Sequence, residues 1–301
     1  MIIRPRKESE ELLILRILNT RRCLGEDDKR HYLVCEKGFE GEEKFDLLLE
    51  KLQNENLTLN ALLLEFNKSH FQIDTLIIFQ RTIYLIDVKN YEGEYFFKTD
   101  GFYYANGKPM KDSLAQLKRC ELLLSQLIQK YGFNYPIESY LIFINPEFTL
   151  YHAPENPQII LPTQINRFMN KLNMIPSKLT DRHLKLAKLL DSLHQDKNPF
   201  AANLAYDFDY LQKWFNCVSC NSFKLIAGRT KLICDTCGCE EEIELAILRC
   251  VEEIKLLFPD KRITTSCVFD WCGGIVSEKT IRRVLNSSFE MINKKRFAHY
   301  K

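Results

Sequence analysis

The stretch FQIDTLIIFQRTIYLIDVKNYEG, residues 71–93, decides how this chain folds. Its halves, FQIDTLIIF and TIYLIDVKN, are rich in Ile, Leu, Phe, Thr and Tyr. Such side chains fit a pleated, half-buried surface, so both halves read as strands. Gln80 and Arg81 separate them. That pair lacks the Gly or Asn of the tightest hairpin turns, which leaves the loop geometry open. Any loop symmetric about the pair sets one register, in which Phe79 faces Thr82 and Asp74 faces Asp87. Directly opposed residues hold their Cβ atoms about 4.5–5.5 Å apart, where two ionised carboxylates repel. A cation between them would turn that penalty into a site. Lys89 is two residues beyond Asp87 and projects from the same face of the strand. Two carboxylates and an ammonium are therefore expected to converge on an otherwise apolar hairpin. The plainer alternative is the wet face of an edge hairpin, and strands this apolar argue against it.

Upstream lies EKGFEGEEKFDLLLEKL, residues 36–52. At helical spacing Phe45, Leu48, Leu49 and Leu52 make one face, and extending it backwards reaches Glu42, Gly41 and Gly38. Glu42 is expected to point into the protein, with Glu43, Asp46 and Glu50 in solvent. The helix dipole accounts for acids such as Glu40 or Glu43 at a helix start. It does not account for an acid on the apolar face. The two glycines would let another backbone approach. Downstream, a helix expected over 112–131 carries Gln116 on the face of Cys120, Leu123 and Leu127. A satisfied core glutamine is the commoner meaning of such a residue.

KGFEGE (37–42), QID (72–74), IDVKN (86–90) and the helix bearing Gln116 together resemble the nuclease-related domain, NERD, a branch of the PD-(D/E)xK nuclease superfamily. The resemblance spans roughly residues 37–150. It implies hydrolysis of phosphodiester bonds, with Glu42, Asp74 and Asp87 as ligands of Mg²⁺ or Mn²⁺. It gives Lys89 a catalytic role and Gln116 a supporting one. Members usually carry Glu where this chain has Asp87, whose shorter arm would alter the metal geometry. The chemistry suits these residue types. Hydrolysis needs a nucleophilic water, charge neutralisation at phosphorus and help for the leaving oxygen. Mg²⁺ takes oxygen ligands and keeps several waters. A lysine can orient the water or stabilise developing charge.

Cysteine spacing points to a second site. Cys217-x2-Cys220 and Cys234-x2-Cys237-Gly238 lie thirteen residues apart, the pattern of a structural tetrahedral zinc centre. The segment resembles a zinc ribbon, with KLIA and KLIC as short strands. Cys239 is a nearby spare. Four thiolates leave no open coordination position, so the expected role is support of folding by one structural Zn²⁺.

A third pattern follows. Apolar residues at 243, 247, 250, 251, 254, 257 and 258 define one helix face. Thr264 or Thr265 can cap a short helix, Gly273-Gly274 can turn the chain, and Ser277 can cap the next helix. There Ile281, Val284 and Leu285 would face inward, with Lys279, Arg282, Arg283 and Asn286 on the other side. This looks like a helix-turn-helix whose second helix could enter a groove. An ordinary helix pair with a solvated basic face fits nearly as well. Residues 277–301 hold seven basic residues, among them Lys294, Lys295 and Arg296, and two acidic ones, while the whole chain is only +2. A basic end on a near-neutral protein points to nucleic acid.

The 301 residues allow two or three domains. The fold class expected is an α/β nuclease-like core, a mixed central sheet flanked by helices, plus a helical linker, a small zinc ribbon and a helical C-terminal module. The expected divisions are 1–36 (an N-terminal helical segment), 37–150 (the nuclease-like domain), 151–212 (helical linker), 213–242 (zinc ribbon) and 243–301 (helix-turn-helix-like). Strands around turns at Asp100-Gly101 and Asn106-Gly107 belong to the core, and a polar link, HQDKNPF (194–200), leads to the cysteines. Arg16 interrupts the early apolar run, so no signal peptide is expected. Nothing is long enough to cross a bilayer. A cytoplasmic protein is expected, whose eleven cysteines would bind metal or be buried rather than form disulfides.

The functional expectation is a metal-dependent nuclease acting on nucleic acid, with DNA favoured. The alternatives are a DNA-binding or scaffold protein without catalysis, or a partner-dependent subunit of a DNA-processing or defence system. In the last, the N-terminal helix would dock a protein partner or a second copy. The enzyme is favoured because Glu42, Asp74, Asp87 and Lys89 are all present.

Overall fold

In a computed structural model, residues 1–99, 101–196, 204–292 and 298–301 are described. The turn residue Asp100, most of the polar link before the cysteines, and Lys294, Lys295 and Arg296 lie outside them. Two compact units result, one of residues 1–8 and 33–201, the other of residues 9–32 and 202–301.

The chain opens with strand β1 (Ile2–Arg4), then helices α1 (Glu10–Arg21) and α2 (Glu26–Leu49). The N-terminal segment read as helical thus begins with a strand, because Ile2 and Arg4 pair in parallel with Thr58 and Leu59. The polar run GEDDKR, residues 25–30, leads into α2. Glu26, Asp27 and Asp28 occupy its first turn, where the helix dipole favours negative charge.

Strands β2 (Leu57–Phe66), β3 (Ser69–Ile78) and β4 (Ile83–Lys89) form an antiparallel meander. After them come β5 (Gly93–Lys98), β6 (Gly101–Tyr104), α3 (Ser113–Lys130), β7 (Ile137–Phe143), β8 (Phe148–Tyr151), β9 (Ile159–Ile160), α4 (Ile165–Asn173) and α5 (Asp181–Ser192). The main sheet is mixed, in the order β1-β2-β3-β4-β7-β9. β7 lies parallel to both β4 and β9. A smaller sheet has the order β6-β5-β8.

Alternation along the strands sorts side chains to the two faces of the main sheet. Leu85, Leu141 and Phe143 pack with Leu117, Leu124 and Leu127 of α3 and Leu186 and Leu190 of α5. The intervening Tyr84, Ile86 and Ile142 pack with Phe45 of α2 and Phe168 and Leu172 of α4. In β2 and β3 the alternation slips by one. Leu57, Leu59, Leu62 and Leu64 share a cluster with Phe71, Ile73, Leu76 and Ile78. The slip falls at Ala61, whose φ is +50°, opposite Asp74 in the register that runs from Leu57↔Ile78 to Phe66↔Ser69. Asp74 therefore lies within β3 opposite a kink in β2.

The second unit holds β10 (Leu225–Ala227), β11 (Lys231–Cys234), β12 (Glu240–Glu242), α6 (Ile243–Leu257), α7 (Thr265–Trp271) and α8 (Glu278–Ser288). β10, β11 and β12 make a three-stranded antiparallel sheet. Its Leu232 shares one core with Ile247, Val251 and Ile254 of α6, Trp271, Ile281, Leu285 and Leu18 of α1. Arg21 is buried there, 1% exposed. It donates to Glu253 at 2.6 Å and to the carbonyls of Gln212 and Trp214, and its guanidinium lies 4.4 Å from the Trp271 ring centroid. Leu12, Leu15 and Leu18, the apolar face of α1, are all buried. Among the described residues, no helix is long and apolar enough to cross a membrane.

Candidate functional site

The β3–β4 ladder observed, with Thr75↔Ile86, Leu76↔Leu85 and Ile78↔Ile83, ends one pair short of the expected Asp74 and Asp87. The Val88 amide donates to Asp74 Oδ2 at 2.9 Å. Lys89 Nζ donates to Asp87 Oδ1 at 2.6 Å. Asp87 is only 8% exposed, and its other oxygen, Oδ2, is buried without a hydrogen-bond partner among the described residues. Glu42 reaches the place from α2, and Gln116 from α3. All five residues line one cavity of about 540 Å³.

α2 comes close through Gly41. A Cβ there would sit 2.5 Å from Asn90 Cβ and 3.2 Å from Ile144 Cγ2. Asn90 is the residue after Lys89, and its amide donates to the Lys37 carbonyl at 2.7 Å. Gly41 thus lets the helix that bears Glu42 seat against the strand that bears Asp87. Gly38 has no such duty, since nothing lies within 4 Å of a Cβ built on it.

Arg6 is a residue that sequence reasoning missed. Its side chain is 4% exposed. It donates to both oxygens of Asp46, at 2.8 and 2.9 Å, to Thr75 Oγ1 at 2.9 Å, and to Glu42 Oε2. Asp46, expected in solvent, is therefore half-buried and paired. The reason is a partner forty positions away in sequence, invisible to helix periodicity.

The electrostatics follow from burial. Desolvation, reinforced by Asp74, pushes the Glu42 carboxyl up to about 8, against the pull of Arg6 and Lys89. Desolvation also lifts Asp87 to about 7, with Lys89 pulling it down. Burial works against the Lys89 ammonium, but Asp87 and Asp74 outweigh it and hold its pKa above the ordinary range. The two carboxylates thus favour the charged form of Lys89.

These groups fit a divalent cation. The unpartnered oxygen of buried Asp87 and the like-charge crowding at Glu42 are what an oxygen-ligated cation relieves. The carboxylates are not drawn together as tightly as the cysteines described below. Among the described residues, Glu42, Asp74 and Asp87 do not bring ligand atoms all within 4.8 Å of one another.

Residues 37–144 match the family model of the nuclease-related domain, NERD. No curated protein and no solved structure matches the chain. The NERD match runs from the middle of α2 to the end of β7, so it includes Glu42, the hairpin and Gln116. Arg6, α4, α5 and the whole second unit lie outside it. The model that matches describes a nuclease-related domain.

Beyond the NERD domain, the Cys217, Cys220, Cys234 and Cys237 sulfurs all lie within 4.8 Å of one another. Cys217 Sγ is 3.6 Å from Cys237 Sγ, and Cys220 Sγ is 3.6 Å from Cys234 Sγ. Cys234 starts one knuckle at the end of β11. Burial raises its thiol pKa, but the amides of Cys237 and Thr236 overcome that and bring it down to about 6. Burial likewise opposes thiolate at Cys217, and the amides of Cys220 and Ser219 bring the net shift down. The Ser222 amide favours thiolate at Cys220, but its neighbours Cys237, Cys234 and Cys217 push that thiol up to about 12. Four sulfurs this close are compatible with zinc. Cys239 is outside the quartet.

α7 and α8 form the expected pair. Thr264 and Ser277 cap them, accepting from the amides of Cys267 and Thr280. Gly273 and Gly274 turn the chain at φ +67° and +69°. Ile281, Val284 and Leu285 are buried, and Lys279, Arg282, Arg283 and Asn286 are exposed. Two of the four have work within the protein. Arg283 donates to Glu244 at 2.9 Å, and Asn286 accepts from the Tyr300 hydroxyl at 3.0 Å.

Proposed function

We propose that the NERD domain is a metal-dependent nuclease of the PD-(D/E)xK type that hydrolyses phosphodiester bonds of DNA. We propose too that the second unit, with a structural zinc, adds affinity for nucleic acid through α8. The observation that carries the reading is the convergence of Asp74, Asp87, Lys89, Glu42 and Gln116 on one cavity, with a buried Asp87 oxygen unpartnered.

Asp74 and Asp87 would hold Mg²⁺ or Mn²⁺, with the backbone carbonyl near Val88, and Glu42 directly or through water. The ion when bound supplies charge neutralisation at phosphorus and an activated water. The chain supplies the rest. The Lys89 ammonium, 2.6 Å from Asp87, would stabilise negative charge that develops on the phosphate. The Gln116 amide on the cavity wall can orient the phosphate or the water. Arg6 fixes the Glu42 carboxylate and offsets its charge. Such a protein would work in the cytoplasm, where thiols stay reduced.

A binding or scaffold protein that has lost catalysis is the second reading. It is disfavoured because loss of activity ordinarily removes at least one of these side chains, and all are here. The deciding experiment is digestion of labelled linear, nicked and circular DNA with Mg²⁺, Mn²⁺ or EDTA. Cleavage that needs the ion and disappears in Asp87→Asn supports the enzyme. Equal cleavage by wild type and Asp87→Asn places the activity elsewhere.

A further inference from the structure

The cavity that holds the carboxylates has an aromatic wall. Tyr91, Tyr95 and Tyr104 line it. Tyr91 and Tyr95 stack with ring centroids 5.7 Å apart, and Tyr95 stacks on Phe148 at 5.2 Å. Tyr104 meets Tyr95 at 5.9 Å with the rings tilted by 47°. β5 and β6 set the row, because Tyr95 and Tyr104 are paired across that hairpin. Packing accounts for Tyr91 and Tyr95, whose faces meet other rings. It does not account for Tyr104, which is 45% exposed and ends the row at the cavity.

The charged groups are recessed by contrast. Asp87 is 8% exposed, and the Lys89 side chain is 19% exposed. A phosphate must enter the cavity to reach them. A volume of about 540 Å³ is in the range that encloses a small ligand. That is room for a nucleotide or two of one strand to enter and reach the recessed groups. Proteins that hold single strands combine a positively charged groove with aromatic rings on which bases stack. This cavity has the rings, but its Lys37 and Lys89 stand against the carboxylates of Glu42, Asp74, Asp87 and Glu92, so the stacking surface carries the inference.

We propose that this cavity takes an unpaired strand, with the base beside the scissile phosphate stacked on the open face of Tyr104. The substrate class is single-stranded nucleic acid, including the frayed ends and flaps of duplexes. The inference rests on the nuclease reading of the site, although stacking itself needs no cleavage.

The test uses the full chain with Ca²⁺ in place of Mg²⁺, so that binding is read without hydrolysis and the cysteine site keeps its zinc. Anisotropy is followed with a short labelled single strand, the same strand carrying abasic sites, and its blunt duplex. Any duplex affinity of the second unit is common to all variants and drops out of the comparison. Tyr104→Ala should weaken single-strand binding by about five- to a hundred-fold and leave duplex binding unchanged. Tyr104→Phe should bind like wild type, since stacking uses the ring and not the hydroxyl. Abasic sites should weaken wild type and Tyr104→Phe, with little further effect on Tyr104→Ala. The proposal is overturned if Tyr104→Ala binds the single strand normally, or if Tyr104→Phe is as weak as Tyr104→Ala. It is overturned also if single strands and blunt duplexes are cleaved at equal rates in Mg²⁺. Tyr104-dependent binding without cleavage of any substrate would sink the nuclease reading and leave this one standing.

Discussion

At the residue scale the site is a problem in buried charge. Asp74→Asn, Asp87→Asn and Lys89→Ala should each abolish metal-dependent cleavage while circular dichroism stays native, because each removes a ligand or a charge at the phosphate. Glu42→Gln should slow cleavage more than Glu43→Gln, since Glu42 lines the cavity and Glu43 is exposed. The opposite ranking in single-turnover rates would remove Glu42 from the site. Arg6→Ala should lower both activity and stability. It leaves Glu42 and Asp46, 19% and 22% exposed, without their cation, at about 2–4 kcal/mol in a urea titration. An unchanged midpoint would mean that water replaces the guanidinium without loss. Asp74, Asp87 and Lys89 are legible in the sequence, because strand period and hairpin symmetry are local rules. Arg6 is not. Its partners come from α2 and β3, and an arginine in RPRK looks like surface until the fold closes over it.

Elements carry the next level. Glycines in the middle of a helix are normally a liability, and α2 contains two, Gly38 and Gly41. Their surroundings predict opposite outcomes. Gly41→Ala places a methyl 2.5 Å from Asn90 Cβ, so it should destabilise by about 1–3 kcal/mol and slow cleavage by pushing Glu42 off the strand. Gly38→Ala meets nothing and should stabilise by about 0.5–1 kcal/mol. Thermal melts of the two variants, read against wild type, check the pair. A loss of stability in both would show that α2 does not seat through Gly41. The same helix shows how far local patterns reach. Its start is hidden because Glu26, Asp27 and Asp28 look like a loop, although acids belong at a helix N-terminus. β2 is hard to see because the alternation in LTLNALLLEF slips by one at Ala61, so no single strand period runs through it. The kink at Ala61, which frees Asp74 from regular pairing, has no local signal at all.

On the proposed reading, the whole molecule separates chemistry from affinity. The cysteine quartet is plain in the sequence because its spacing is a rule about knuckles, not about long-range packing. Purified without chelator, the protein should hold one zinc per chain, lost in Cys217→Ser and kept in Cys239→Ser. Zinc in such sites supplies on the order of 10 kcal/mol of folding free energy, so its removal should open amide exchange in β10, β11 and β12. Elemental analysis without zinc would end that reading. Spacing does not reveal that the ribbon shares its core with α6, through Leu232, so exchange should rise in α6 too.

The basic helix supplies the last prediction. Replacing Arg282 and Arg283 together with Ala should weaken DNA binding and flatten its salt dependence, by about 0.9 in the log–log slope for each phosphate no longer neutralised. Arg282→Ala alone should give the larger share, because Arg283 must first leave Glu244. At saturating DNA the double variant should still cleave, since the carboxylates of the NERD domain are untouched. Asp87→Asn should bind DNA at least as well as wild type, because it removes negative charge near the phosphate. Anisotropy across a salt series, paired with single-turnover cleavage, reads both halves at once. A double variant that binds normally but cannot cleave would overturn the groove-binding role of α8 and give its arginines a part in holding the chain in a productive arrangement.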